Sequence, residues 1–110
     1  MKRVFAWALI GVLPALVFLS NKGAAWAQSG RSLYNDKCAL CHGIRGNGQG
    51  PAGPTLSPPA TDFTSPSYWQ KTNDTKIAGA IKNGVGAMPA FDLRPDEIRA
   101  IISYIKTFKR

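Results

Sequence analysis

Histidine occurs once in this chain of 110 residues and cysteine only twice. With Cys38, Cys41 and His42 as the whole supply, a structural zinc site, which takes four ligands, has no fourth Cys or His to complete it. Acids are scarce too. Asp36, Asp62, Asp74, Asp92, Asp96 and Glu97 read as caps, turn residues and surface charge, and no Ser/His or Cys/His constellation is left once His42 is assigned. A strand pattern is missing, and with it the βαβ context that a thioredoxin-like C-x-x-C would require. There are no repeats and no sign of a second domain. The one long apolar run, Val4 to Leu19, is somewhat short for a spanning helix of about 20 residues.

What is present is concentrated in five residues, Cys38-Ala39-Leu40-Cys41-His42. Two thiols three positions apart can each add across one vinyl group of a haem, and the following histidine is placed to bind the iron. C-x-x-C-H is the signature of covalent c-type haem attachment. A disulfide between Cys38 and Cys41 would close too small a loop to stabilise much. With one His, bis-histidine ligation within the chain is excluded. Met88 is the candidate for the other axial position, in Gly84-Val85-Gly86-Ala87-Met88-Pro89-Ala90-Phe91. Small residues allow close backbone approach and Pro89 stiffens the loop. The alternative for Met88 is a core-filling side chain.

The N-terminus fits haem attachment outside the cytoplasm. Met1-Lys2-Arg3, the apolar run and Ala25-Trp26-Ala27 together make a secretory signal peptide over 1–27, cleaved after Ala27, with one domain over 28–110. An uncleaved membrane anchor is the alternative, because Lys22 interrupts the segment before the cleavage site. The whole chain carries +8, but from Gln28 onward 11 Lys/Arg face 6 Asp/Glu, leaving +5. That is neither basic nor clustered enough for nucleic acid. The 83 residues of 28–110 bury little on their own, so a covalently tied macrocycle would supply the missing centre.

Three or four helices and long loops are expected, an all-α fold. Ser29–Cys41 reads as the first helix, leading into the haem motif. Gly43–Pro59 is too rich in Gly and Pro for regular structure. Pro66 after Ser65 starts a short helical turn through Trp69. Asn73 or Asp74 caps a helix carrying Ile77 and Ile81, which Gly84 ends. Pro95 opens the last helix, with Asp96 and Glu97 in its first turn and Ile98, Ile101, Ile102 and Ile105 as its apolar stripe. Gly48-Gln49-Gly50-Pro51-Ala52-Gly53 matches G-x-G-x-x-G, but without the strand and helix a dinucleotide site requires it is a decoy.

Beyond the C-x-x-C-H, the chain has Gly30 and Tyr34 on the first helix, Gly53-Pro54-x-Leu56, Met88-Pro89 and Tyr104 on the last helix. On these residues it resembles the small class I c-type cytochromes along nearly the whole of 28–110. The resemblance implies the cytochrome c fold wrapped around one haem c, with Cys38 and Cys41 as thioether anchors and His42 and Met88 as iron ligands. It implies that Gly30 meets Tyr104 where the first and last helices cross. It also implies that the Pro54 carbonyl, with Pro51 as a fallback, accepts the proximal histidine's hydrogen bond. Trp69 stands where such proteins have an aromatic near a haem propionate, with plain core packing as the alternative.

The expected function is single-electron transfer in the periplasm by a soluble monomer that is not an enzyme. The partners would be redox proteins with acidic docking faces, steered by Lys37, Arg45, Lys71, Lys76 and Lys82 around the haem edge. Those cations are otherwise plain solvated charges. Alternatives are a haem subunit of a larger membrane redox complex, or a haem enzyme or ligand sensor with an open distal site. Membrane association would come only through an uncleaved N-terminus or such a complex.

Overall fold

The computed structural model describes Gly11, Pro14, Ala15 and residues 22–110, and side chains from Gly30 onward. Most of the expected signal segment, 1–27, lies outside the described residues. The elements in chain order are α1 (Lys22–Lys37), α2 (Ala39–His42), a 3-10 turn (Gly53–Thr55), α3 (Pro66–Lys71), α4 (Asp74–Asn83) and α5 (Pro95–Lys106). No strand occurs among the described residues; the one β-bridge joins Val85 and Met88. No described helix is long and apolar enough to cross a membrane.

The first helix begins earlier than expected. It starts at Lys22, not Ser29, and Ala24, Ala25 and Ala27 are strong helix formers that let the turn propagate back. It also breaks at Cys38 before resuming as α2, although Cys38 N–H still donates to the Tyr34 carbonyl at 2.8 Å.

The later helices start where the sequence places them. Asn73 caps α4 by accepting from the Lys76 amide at 2.9 Å, and Gly84, at φ 75°, closes it with its N–H on the Ala80 carbonyl. A side chain at that φ would be strained. In α5, Pro95 takes the first position, where its missing N–H costs nothing, and Glu97 reaches back to the Arg94 amide at 3.1 Å. Lys106 on α5 binds Asp74 at the start of α4 at 2.8 Å.

The α5 stripe is buried, with Ile98, Ile101, Ile102 and Ile105 at most 7% exposed. Each such side chain contributes about 1.5–3 kcal/mol of apolar transfer. The most extensive helix pairing is α1 on α5, while α4 lies on the same helix. The crossing depends on Gly30, since a Cβ there would collide with the Ala100 carbonyl and lie 3.4 Å from Tyr104 Cβ. The expected meeting of Gly30 and Tyr104 is therefore present. Tyr34, fully buried, touches Tyr104 and Phe108 edge-on or tilted, with centroids at 5.2 and 5.3 Å.

Candidate cofactor site

Cys38, Cys41 and His42 stand at i, i+3 and i+4, spacing that puts three helical side chains on one face. The backbone honours it: His42 N–H donates to Cys38 O at 2.9 Å and Gly43 N–H to Ala39 O at 2.9 Å. All three side chains line one cavity of about 250 Å³, while the intervening Leu40 points away, 62% exposed.

The His42 ring is fixed from two directions. Its Nδ1 lies 3.0 Å from the Thr61 carbonyl. A carbonyl can only accept, so Nδ1 carries the proton and Nε2 keeps a bare lone pair. Phe63 stacks on the ring, with centroids 4.5 Å apart and planes 20° apart. Burial lowers the His42 pKa, against a smaller opposing effect of the Thr61 bond, and so favours the neutral, metal-binding form. Burial also pushes the Cys38 thiol up to about 11, keeping it protonated, although Lys37 pulls the other way.

Across the cavity, Ile77, Ala80 and Ile81 of α4 form an apolar wall, followed by Val85, Met88 and Pro89. The loop carrying Met88 is a tight reversal. Val85 and Met88 exchange two backbone bonds of 3.0 and 2.9 Å, Gly86 sits at φ 54°, and Phe91 N–H returns to the Ile81 carbonyl at 2.9 Å. Met88 thus shares a cavity with His42, 46 positions earlier.

Two expected residues stand elsewhere. Pro54 lies in the 3-10 turn, outside the cavity lining, and the acceptor for His42 is Thr61. The reason lies in the loop's path. Gly50 N–H binds Cys41 O and Ala52 N–H binds Leu40 O, folding Pro51 and Pro54 back along α2. Beyond that fold-back the chain lines the His42 cavity at Leu56 and from Pro58 to Thr61, and the carbonyl that meets Nδ1 is that of Thr61. Trp69 is half-buried outside the lining, and its Nε1–H donates to the Phe63 carbonyl at 2.7 Å. Of the five cations, Lys37 and Lys76 line the cavity; Arg45 and Lys82 lie on other grooves, and Lys71 is exposed without lining it. Sequence reasoning missed Thr61 and Phe63. The available signal was Phe63 itself, a lone large apolar residue in the polar stretch 57–67.

The donor set fits a haem. Two thiols and an imidazole share one helical face, a thioether lines the same cavity, and the walls between are mostly apolar. Residues 25–105 match the family described as "Cytochrome C oxidase, cbb3-type, subunit III". The chain belongs to this c-type cytochrome family. Cytochrome c6 of Picosynechococcus sp. is 31% identical over 109 residues, covering 96% of this chain and 92% of its own. Cytochrome c6 of Chlorolobion braunii is 32% identical over 78 residues, covering 69% and 83%. A cytochrome c-553-like protein of Synechocystis sp. is 28% identical over 85 residues, covering 74% and 68%. Among solved structures, the KustC0563 c-type cytochrome superposes with a TM-score of 0.66 at 32% identity, covering 74% of this chain and 98% of its own. The all-α architecture is accordingly the cytochrome c fold. Membership in this c-type cytochrome family implies haem c with its iron, redox-protein partners and a part in electron transfer.

Proposed function

We propose that this c-type cytochrome is exported to the periplasm, where it carries single electrons between redox proteins as a monomer with one haem. In this reading residues 1–27 are removed, Cys38 and Cys41 hold the haem by thioether bonds, and His42 and Met88 are the axial ligands. The observation that carries it is that all four side chains line the same apolar cavity. The haem supplies a one-electron ferrous/ferric couple, with methionine ligation raising its potential.

The protein's own part is to hold those ligands still. The Thr61 carbonyl and the Phe63 ring orient His42, and the Val85–Met88 reversal presents the thioether. Apolar walls limit water around a centre whose charge changes by one. Lys37 and Lys76 at the cavity steer an acidic partner to the site.

The test is expression with c-type haem maturation, followed by mass measurement and fractionation. One haem per chain that survives denaturation, in periplasmic protein beginning at Gln28, is expected; Cys38→Ser with Cys41→Ser should lose it. Haem released by denaturant from the wild type would contradict the thioether assignment. The second reading, a haem subunit of a larger membrane redox complex, is favoured by the oxidase-subunit family match. Retention in salt-washed membranes with an intact N-terminus would select it.

A further inference from the structure

We propose that Trp69 is a positioning residue for His42, acting through the segment Thr61–Phe63; this rests on the His42/Met88 reading above. Phe63 is 5% exposed and held at both backbone groups. Its N–H donates to the Gly46 carbonyl at 2.7 Å, and its carbonyl accepts the Trp69 indole N–H at 2.7 Å. Both bonds are shorter than the usual 2.9–3.0 Å or so for N–H···O. Both anchors sit on Phe63, whose ring covers one face of the imidazole, and the Thr61 carbonyl on Nδ1 lies two residues before them. The Gly46 anchor belongs to the turn after His42, where Gly48 N–H donates to the His42 carbonyl at 2.8 Å. Trp69, on α3, is the anchor that ties the segment's backbone to another part of the fold, beside the contacts of the Phe63 ring with Tyr34 and Tyr68 at 6.4 and 5.5 Å.

The chemical consequence follows from the histidine bond. Nδ1–H donating to a carbonyl makes the imidazole a more basic ligand through Nε2, which favours ferric over ferrous iron. Removing the indole N–H leaves the Phe63 carbonyl without that partner, frees the segment to shift, and weakens the Thr61 bond. The ferrous form then gains.

The experiment is redox titration of the holoprotein with Trp69→Phe, which keeps a large ring and removes the donor. A shift of about threefold toward the reduced form at fixed ambient potential is expected, ~28 mV upward by the one-electron relation of about 59 mV per decade. Lys109→Ala is the control. Lys109 Nζ lies 5.8 Å over the Trp69 ring and leaves the indole bond untouched, so its structural role is separable. Its potential should stay within a few tenths of that shift. Hydrogen exchange of the indole N–H in the ferrous wild type gives an answer independent of any variant, with protection of about a hundredfold or more expected.

A lowered Tm in Trp69→Phe with an unmoved potential would overturn the proposal, as would an indole N–H exchanging at the free rate. The sulfur-to-iron charge-transfer band in the same samples separates the two possible failures. Band intact with potential unmoved sinks the Trp69 role; band missing from the wild type sinks the ligand assignment instead.

Discussion

The two sides of the cavity are built on different plans. His42 rises from a helix, is buried, accepts a ring stack and donates to a carbonyl whose own segment is pinned at Gly46 and Trp69. Met88 sits on a mostly exposed reversal held by three backbone bonds and two glycines at positive φ, with Val85 beside it 64% exposed. Of the two proposed ligands, the first is therefore oriented by a ring stack and a side-chain hydrogen bond, and the second by turn geometry with its half-buried side chain against the core. A perturbation of the core should act through the fold, whereas one of the Met88 loop should act on the ligand while sparing the fold.

The sharpest break of that division is Gly30→Val. The added side chain meets the Ala100 carbonyl where α1 crosses α5, so the crossing must open. Backbone overpacking of this kind should cost about 3 kcal/mol, read by urea unfolding of the holoprotein, with the folded fraction keeping a normal spectrum. Gly84→Ala probes the opposite side. At φ 75°, with its new Cβ 2.7 Å from the Met88 carbonyl, it should cost about 1–2 kcal/mol. More tellingly, exogenous imidazole should displace Met88 about tenfold faster, measured by stopped-flow absorbance, with helicity by circular dichroism unchanged.

Tyr34→Phe is smaller and again belongs to the core. It leaves the buried Gly43 carbonyl without the hydroxyl now 2.7 Å away, a loss of about 1 kcal/mol, and should leave the imidazole displacement rate at the wild-type value. Lys76→Gln should move stability least. Its expected effect is a slower reduction by an acidic partner at low salt, merging with wild type as screening rises above about 0.5 M. A salt-independent rate difference would argue for a local distortion in place of steering.

How far the sequence reveals this depends on the kind of group involved. Pro66, Asn73, Gly84 and Pro95 announce their helix ends because side-chain chemistry or fixed φ enforces them locally. The Ile98–Ile105 stripe and Gly30 are legible for the same reason, since burial and close approach constrain residue type. Cys38, Cys41 and His42 carry chemistry that few residue types can supply. The acceptor for His42 is different: every residue has a carbonyl, so the choice of Thr61 over Pro54 is decided by where the Gly43–Pro59 loop runs. The partner of Trp69 was hidden likewise, because an indole N–H can donate to any oxygen within reach. The break at Cys38 and the start at Lys22 are helix boundaries, which periodicity alone does not resolve.

An iron centre held between a packed histidine and a loop-borne methionine has a spectral signature of its own. Ferric holoprotein should show the weak red sulfur-to-iron band, and Met88→Ala should lose it, turn high-spin and bind cyanide readily. A wild-type protein that is already high-spin, or a Met88→Ala variant that keeps the band, would contradict the assignment.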